Sequence, residues 1–233
     1  MMLTRAYLES GLLQKAIAEA GLGMHLLSEA ELQSSIQQTL ARQKPNSDIW
    51  LFAYGSLIWN PIFHFAEYRT GTIYGLHRRF CLWTPLGRGT PENPGLVLGL
   101  DRGGSCRGVA YRIAAANVMT ELTIVWRREM IVGSYVPTWV KFYHDRQVVE
   151  AIAFVVNRHR SGYAGNISFD ATVDTLATAK GQLGSSADYL FQTVDGLISV
   201  GIKDKPLLRL RDRVLTKQKL LLKKSDVRSQ KSE

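Results

Sequence analysis

The stretch Ile49-Trp50-Leu51-Phe52-Ala53-Tyr54-Gly55-Ser56-Leu57-Ile58-Trp59-Asn60 decides how the chain is read. Its first six residues are aliphatic or aromatic and carry no charge, which is the pattern of a buried strand. Gly55-Ser56 ends the run. A strand that stops on Gly-Ser exposes consecutive backbone N–H groups in a tight turn, a nest suited to an anion and especially to a carboxylate. Gly55 also permits backbone conformations that a β-carbon would resist. Taken alone, Gly-Ser after a strand is more often an ordinary turn. Ile49 to Phe65 is the most apolar window of the chain, but Gly55, Ser56 and Asn60 interrupt it. It falls short of the roughly 18 uninterrupted apolar residues of a membrane span, so none is expected.

Outward from this stretch the texture stays strand-like. Ile49–Tyr54, Thr70–Thr84, Leu96–Asp101, Cys106–Ile113, Tyr135–His144 and Val148–Val156 are rich in β-branched and aromatic residues. Ala114–Met130 breaks the series and reads as a helix with Val118, Leu122, Val125 and Trp126 on its apolar side. Two helices are expected before the first strand. Leu8, Leu12, Leu13, Ile17 and Ala20 share a face up to the Gly21–Gly23 region. Ser28 and Glu31 then form a capping box ahead of Leu32, Ile36 and Leu40. Past Asn166 the chain turns helical again, with Ser168 or Asp170 as a cap and Asp188 to Ile202 as a second helix. Strands first, one helix inserted and helices at the end predict an α+β fold with a mostly antiparallel, barrel-like sheet and flanking helices. The expected division is a helical extension over 1–46, a main domain over 47–202 and a basic helix or tail over 203–233.

The chain has 233 residues, 45% of them hydrophobic, enough to fill one core. Its net charge of +9 is unevenly spread. From Lys203 onward there are eleven Lys/Arg against four Asp/Glu, a balance of +7, which leaves +2 for residues 1–202. The basicity belongs to the tail, a solvated or disordered end unless an acidic partner meets it. Two cysteines, Cys81 and Cys106, define neither a disulfide framework nor a metal site, and the five histidines show no metal-ligand spacing. Glu9 and Lys15 precede any long apolar region, against a secretory leader. A cytoplasmic protein is expected.

The second informative motif is Trp126-Arg127-Arg128-Glu129-Met130, followed by Gly133-Ser134-Tyr135. It places Glu129 at the end of a helix, just before the chain enters a strand. A carboxylate there either faces a cavity or pairs with Arg127 or Arg128 on the surface. Ser56 lacks the Gly-x-Ser-x-Gly surroundings of a hydrolase nucleophile.

Together these motifs and their neighbours, from Trp50 to about Leu197, resemble the ChaC-type γ-glutamylcyclotransferases. The resemblance is carried by 52–61, His77-Arg78-Arg79-Phe80-Cys81, Gly87-Arg88-Gly89-Thr90 with Pro94-Gly95, and Gly108-Val109-Ala110-Tyr111-Arg112. It continues through 126–130, Tyr135-Val136-Pro137-Thr138-Trp139 and Asp188-Tyr189-Leu190-Phe191. Leu3-Thr4-Arg5 looks like the bacterial branch. Ala53 stands where the family usually has Gly, and Ser134 where it has Gly or Cys.

The resemblance implies a γ-glutamylcyclotransferase-like fold and a cofactor-free cleavage of glutathione into 5-oxoproline and Cys-Gly. It assigns proton transfer to Glu129 and the γ-glutamyl α-carboxylate to the turn of Tyr54, Gly55, Ser56 and Leu57. Tyr135 and Tyr189 are implied near the pocket, as substrate-facing hydroxyls or as core aromatics. Arg79 is either a partner for the glycine carboxylate of glutathione or a structural ion pair. Two readings compete: a cyclotransferase for other γ-glutamyl amino acids or amines, and a non-catalytic regulatory protein that binds through its basic tail. Nucleic acid is not an expected partner, although in the competing reading the basic tail would bind it or a membrane, and nothing in the sequence specifies an oligomeric state.

Overall fold

A computed structural model describes residues 3–229, with side chains to 224. Residues 1–2 and 230–233, the latter the end of the basic segment, lie outside the described residues. The chain divides into a barrel unit, residues up to 82 with 98–163, and a helical unit, residues 83–97 with those from 164 onward.

The barrel unit begins with three helices, α1 (Arg5–Glu9), α2 (Leu12–Glu19) and α3 (Glu29–Leu40). The single helix expected up to Ala20 is broken by Gly11, whose φ of +71° ends one helix and opens the next. Of its predicted face only Leu8 is buried. The Ser28–Glu31 capping box opens α3 as expected, with Leu32 and Ile36 buried. Five strands follow: β1 (Ile49–Ala53), β2 (Glu67–Thr84), β3 (Gly95–Ile113), β4 (Tyr135–His144) and β5 (Gln147–Val156). A short helix α4 (Ser56–Trp59) follows β1. A 3-10 turn (Ala115–Asn117) and α5 (Val118–Glu129) separate β3 from β4.

The strands close a barrel in the order β1-β3-β2-β4-β5. β1 runs antiparallel to β3 and parallel to β5, and β4 pairs antiparallel with both β2 and β5. The barrel is therefore mostly antiparallel, with β5 pairing parallel to β1 and, at Leu100–Val155, to β3. β1 is buried on both faces, since Leu51, Phe52 and Ala53 are all inaccessible. That explains why it reads as a continuous apolar run and not as an alternation. The break expected between Asp101 and Cys106 is absent. β3 runs through it, carrying Gly103 and Gly104 at φ +100° and +67°, a local distortion that glycine absorbs without ending the strand. β4 and β5 join through Asp145 and Arg146, both at positive φ, the geometry of a tight two-residue hairpin.

In the helical unit, α6 (Phe169–Thr178), capped by the Ser168 hydroxyl, is followed by the two-residue strands β6 (Lys180–Gly181) and β7 (Gly184–Ser185). Then come α7 (Ser186–Ser199), opened by a Ser185–Asp188 capping box, and α8 (Lys205–Ser229). The first half of α8 is no free tail. It packs on α6 and α7, burying Leu207, Leu210 and Val214, and Lys217 pairs with Asp174 at 2.7 Å. Beyond it, Leu220 and Leu222 are exposed. Among the described residues no helix is long and apolar enough to cross a membrane.

Candidate active site

β1 delivers Tyr54 and Gly55 to the start of α4, where Gly55 is the cap residue. The Ile58 N–H donates to the Gly55 carbonyl and the Asn60 N–H to the Ser56 carbonyl, each at 2.9 Å. The N–H groups of Ser56 and Leu57 come before the first of these bonds, at positions that a helix's own carbonyls do not reach. The end of β1 is fixed from two sides. Arg78 of β2 donates Nη1 to the Tyr54 carbonyl at 2.7 Å and Nη2 to the Arg107 carbonyl. Gly108 of β3 passes so close that a β-carbon there would strike the Ala53 carbonyl oxygen and the Phe52 ring.

α5 brings Glu129 to the same region. One turn earlier on that helix, Trp126 is fully buried, donates Nε1 to the Ser35 hydroxyl at 3.1 Å, and meets Phe154 edge-on at 5.0 Å. The chain leaves α5 through Gly133 at φ +64°, whose N–H donates to the Met130 carbonyl at 2.8 Å. A β-carbon at Gly133 would also meet the mobile end of the Arg160 side chain, but it is the positive φ that favours glycine at the exit.

The Glu129 side chain is 13% exposed and its Oε1 lies 3.1 Å from Arg128 Nε. Burial pushes its pKa above the ordinary carboxylate value, and the Arg128 charge opposes that rise without cancelling it. Arg128, 6% exposed, spends its other two nitrogens on the turn: Nη1 donates to the Asn60 carbonyl at 2.7 Å and Nη2 to the Ser56 hydroxyl at 2.8 Å. A single guanidinium thus connects the helix-end carboxylate to the segment 56–60.

The structure therefore brings Glu129, Ser56 and the turn of Tyr54, Gly55 and Leu57 together. The other expected residues are differently engaged. The Tyr54 hydroxyl donates to the Phe154 carbonyl at 2.9 Å and that of Tyr135 to the Leu98 carbonyl at 3.0 Å, so both phenols cross-link the barrel. Arg79 reaches Asp101 at 3.6 Å, within a cluster where Arg158 binds the same carboxylate through Nε at 2.7 Å and Tyr163 donates to it at 2.9 Å. Burial works against the Asp101 charge, but these donors and the Arg102 N–H outweigh it and hold its pKa down. Tyr189 belongs to the helical unit, buried on α7 with the Arg88 guanidinium 5.7 Å from its ring centroid. Patterning alone does not single out Arg128 as a connector, or Phe154 as the shared neighbour of Tyr54, Trp126 and Tyr135. The adjacent Arg-Glu pair is the signal for the first. The second has none, because Phe154 reads as one more apolar strand residue.

A closed five-stranded barrel with flanking helices is the architecture of the γ-glutamylcyclotransferase-like proteins. A solved yeast γ-glutamylcyclotransferase specific to glutathione, 22% identical, shares this fold at a TM-score of 0.67 over 73% of this chain and 97% of that one. The chain belongs to the ChaC-like protein family, whose model matches residues 49–217. The match runs well into α8, so the start of the basic segment is part of the family pattern and not an addition to it. Among curated relatives, the glutathione-specific γ-glutamylcyclotransferase of Escherichia coli K12 is 40% identical over 197 residues, covering 84% of each chain. The human glutathione-specific γ-glutamylcyclotransferase 1 is 31% identical over 195 residues, covering 78% of this chain and 88% of its own.

Proposed function

We propose that this chain is a glutathione-specific γ-glutamylcyclotransferase in which Glu129 moves the proton and the turn 54–57 holds the γ-glutamyl α-carboxylate. The observation that carries the reading is a buried glutamate of raised pKa tied through Arg128 to that turn. The relatives' names support glutathione as the substrate.

In the proposed reaction the substrate α-amine attacks its own γ-carbonyl carbon, a new C–N bond closes the five-membered lactam, and the amide bond to cysteine breaks. The amine starts as an ammonium ion, which cannot attack. The Glu129 carboxylate takes one proton from it and, as the acid, returns it to the departing cysteine nitrogen. The second proton, shed by the attacking nitrogen as the lactam N–H forms, ends on the released amine, which leaves as an ammonium ion. The products are 5-oxoproline and Cys-Gly. The nucleophile is already tethered, so orientation alone can contribute about 7–11 kcal/mol and proton transfer about 10²–10⁴-fold. An elevated Glu129 pKa suits both halves of the proton cycle, since a carboxyl near its ordinary value is a weak base and too readily stays ionised to act as an acid. The two cysteines are free and buried, which supports a reducing compartment such as the cytoplasm.

The test is to incubate the purified protein with glutathione and with γ-glutamyl-alanine, and to assay 5-oxoproline and the released amine for wild type and Glu129→Gln. Preferential turnover of glutathione by wild type and none by a folded Glu129→Gln supports the reading. Turnover of γ-glutamyl-alanine alone would keep the mechanism and change the substrate.

A further inference from the structure

Side chains at adjacent helix positions do not normally face one another. Arg128 and Glu129 nevertheless meet at 3.1 Å, because the guanidinium lies almost wholly buried and is held from three directions. Nη1 donates to the Asn60 carbonyl and Nη2 to the Ser56 hydroxyl, while Nε makes an ion-pair contact with Glu129 at the end of α5, so one guanidinium bridges two separate elements. The other charges on α5 itself are paired elsewhere, and one further cation lies near its exit. Arg127 forks onto Glu29 of α3 at 3.0 and 3.1 Å, Glu121 is held by Arg5 of α1 at 2.5 Å, and Arg160 lies against Gly133 at the helix exit.

We propose that Arg128 is a positioning residue for the cyclisation, holding the Glu129 carboxylate in register with the turn 56–60 so that the proton carrier and the carboxylate-binding N–H groups address one bound γ-glutamyl group. The inference rests on the assignment of Glu129 made above and adds a second role to the same contact. Burial alone favours the neutral acid, which cannot accept the proton of the substrate ammonium. The adjacent cation offsets this and keeps the base available. When Glu129 takes the proton, Arg128 loses one anionic partner but stays fixed by Asn60 and Ser56, so the carboxyl group remains beside the departing nitrogen. A lysine would keep the charge and lose the fork, because a single ammonium cannot reproduce the two guanidinium bonds to the turn while staying beside the carboxylate.

The experiment compares pH–rate profiles of wild type, Arg128→Met, Arg128→Lys and Glu129→Gln with glutathione, after circular dichroism and thermal melts show which variants fold. Arg128→Met is expected to move the acid limb of kcat to higher pH by about one unit or more, the usual effect of an opposite charge at this distance. Arg128→Lys is expected to keep the limb near its wild-type position while raising KM about three- to tenfold, since the charge remains and the register loosens. An unmoved acid limb in Arg128→Met overturns the proposal. So does an Arg128→Lys enzyme with wild-type KM and profile, and this second variant decides the matter if the first does not fold. Turnover that survives in Glu129→Gln would instead remove the assignment of Glu129 itself, a failure separable from that of Arg128.

Discussion

Replacing Arg5 by methionine should destabilise the protein in a way that depends on pH with a definite sign. Arg5 of α1 places Nη1 2.5 Å from Glu121 Oε2 on α5, and the Glu121 side chain is only 4% exposed. The same carboxylate accepts the His64 backbone N–H at 2.9 Å, and His64 Nδ1 lies 3.2 Å from it. Burial works against the Glu121 charge, but Arg5 and His64 outweigh it and hold the pKa below the ordinary value. Removing one partner of a buried ion pair typically costs about 3–5 kcal/mol. The His64 contacts survive, so about 3 kcal/mol is expected here, a Tm loss of roughly 6–12 °C for a chain of this length.

The pH dependence follows from the direction of the Glu121 shift. A carboxylate whose folded pKa is depressed contributes stability that is fully present above its unfolded pKa. That stability is lost as pH falls through the folded value. In Arg5→Met the cation is gone and burial dominates, so the carboxyl protonates more readily and the penalty relaxes in acid. The Tm gap between wild type and variant should be widest near neutrality and should narrow below about pH 4. Differential scanning fluorimetry across that range is sufficient, with Glu121→Gln and the double variant completing a cycle. A gap that is absent at neutral pH, or that stays constant into acid, would refute the reasoning. Strict additivity of the two single changes would do so as well.

Arg79→Met should lower Tm, because it withdraws a cation from the Asp101 cluster, yet leave KM for glutathione within about twofold; a rise beyond about tenfold would return Arg79 to the substrate. Ending the chain after Gln218 should leave Tm and turnover close to the full chain, since the residues removed include exposed Leu220 and Leu222. Ending it before Leu207 should unfold or aggregate the protein, because Leu207, Leu210 and Val214 each contribute about 1.5–3 kcal/mol of burial. Equal behaviour of the two truncations in a melt would contradict the packing described for α8. Gly55→Val is expected to raise KM or abolish turnover with little change in the far-ultraviolet spectrum, and unchanged kinetics would dismiss the carboxylate nest at the turn.

The parts of this molecule legible in the sequence are those written in local periodicity. β4 begins and ends where its aromatic and β-branched run does, and the Ser28–Glu31 box opens α3. Gly11 and the Gly103-Gly104 pair mislead in opposite directions for one physical reason. A positive φ in the first case ends a helix inside an apolar periodic pattern, and in the second a strand survives two glycines because its neighbours hold it. The site divides in the same way. Tyr-Gly-Ser-Leu and Arg-Glu are visible in the sequence, but on their own they read as a turn and a surface ion pair, and only the family resemblance gives them roles. The reach of the Tyr54 hydroxyl to the Phe154 carbonyl spans 100 residues, and that of Arg128 to Ser56 spans 72. No window of neighbouring residues contains such information. The contacts of Arg79 with Asp101 and of Tyr135 with the Leu98 carbonyl are hidden for the same reason.

A lactam-forming cleavage asks for a fixed substrate conformer and a proton carrier whose position does not drift, so the rigidity of the end of α5 matters more than the number of groups around it. That rigidity comes largely from residues before the family match begins at 49. Leu27 donates its N–H to the Ile131 carbonyl at 2.9 Å, Glu29 takes the Arg127 fork, and Ser35 accepts the Trp126 indole at 3.1 Å. These three anchors fall at positions 126, 127 and 131, on both sides of Glu129, and all come from the α3 region. The buried Arg5–Glu121 pair fastens the other end of the same helix to α1. α1 and the α3 region therefore brace the helix that carries Glu129, while the barrel fixes the turn proposed to hold the carboxylate. Arg128 is where the two supports meet. Loosening the brace should accordingly depress kcat before it raises KM, whereas loosening the turn should do the reverse.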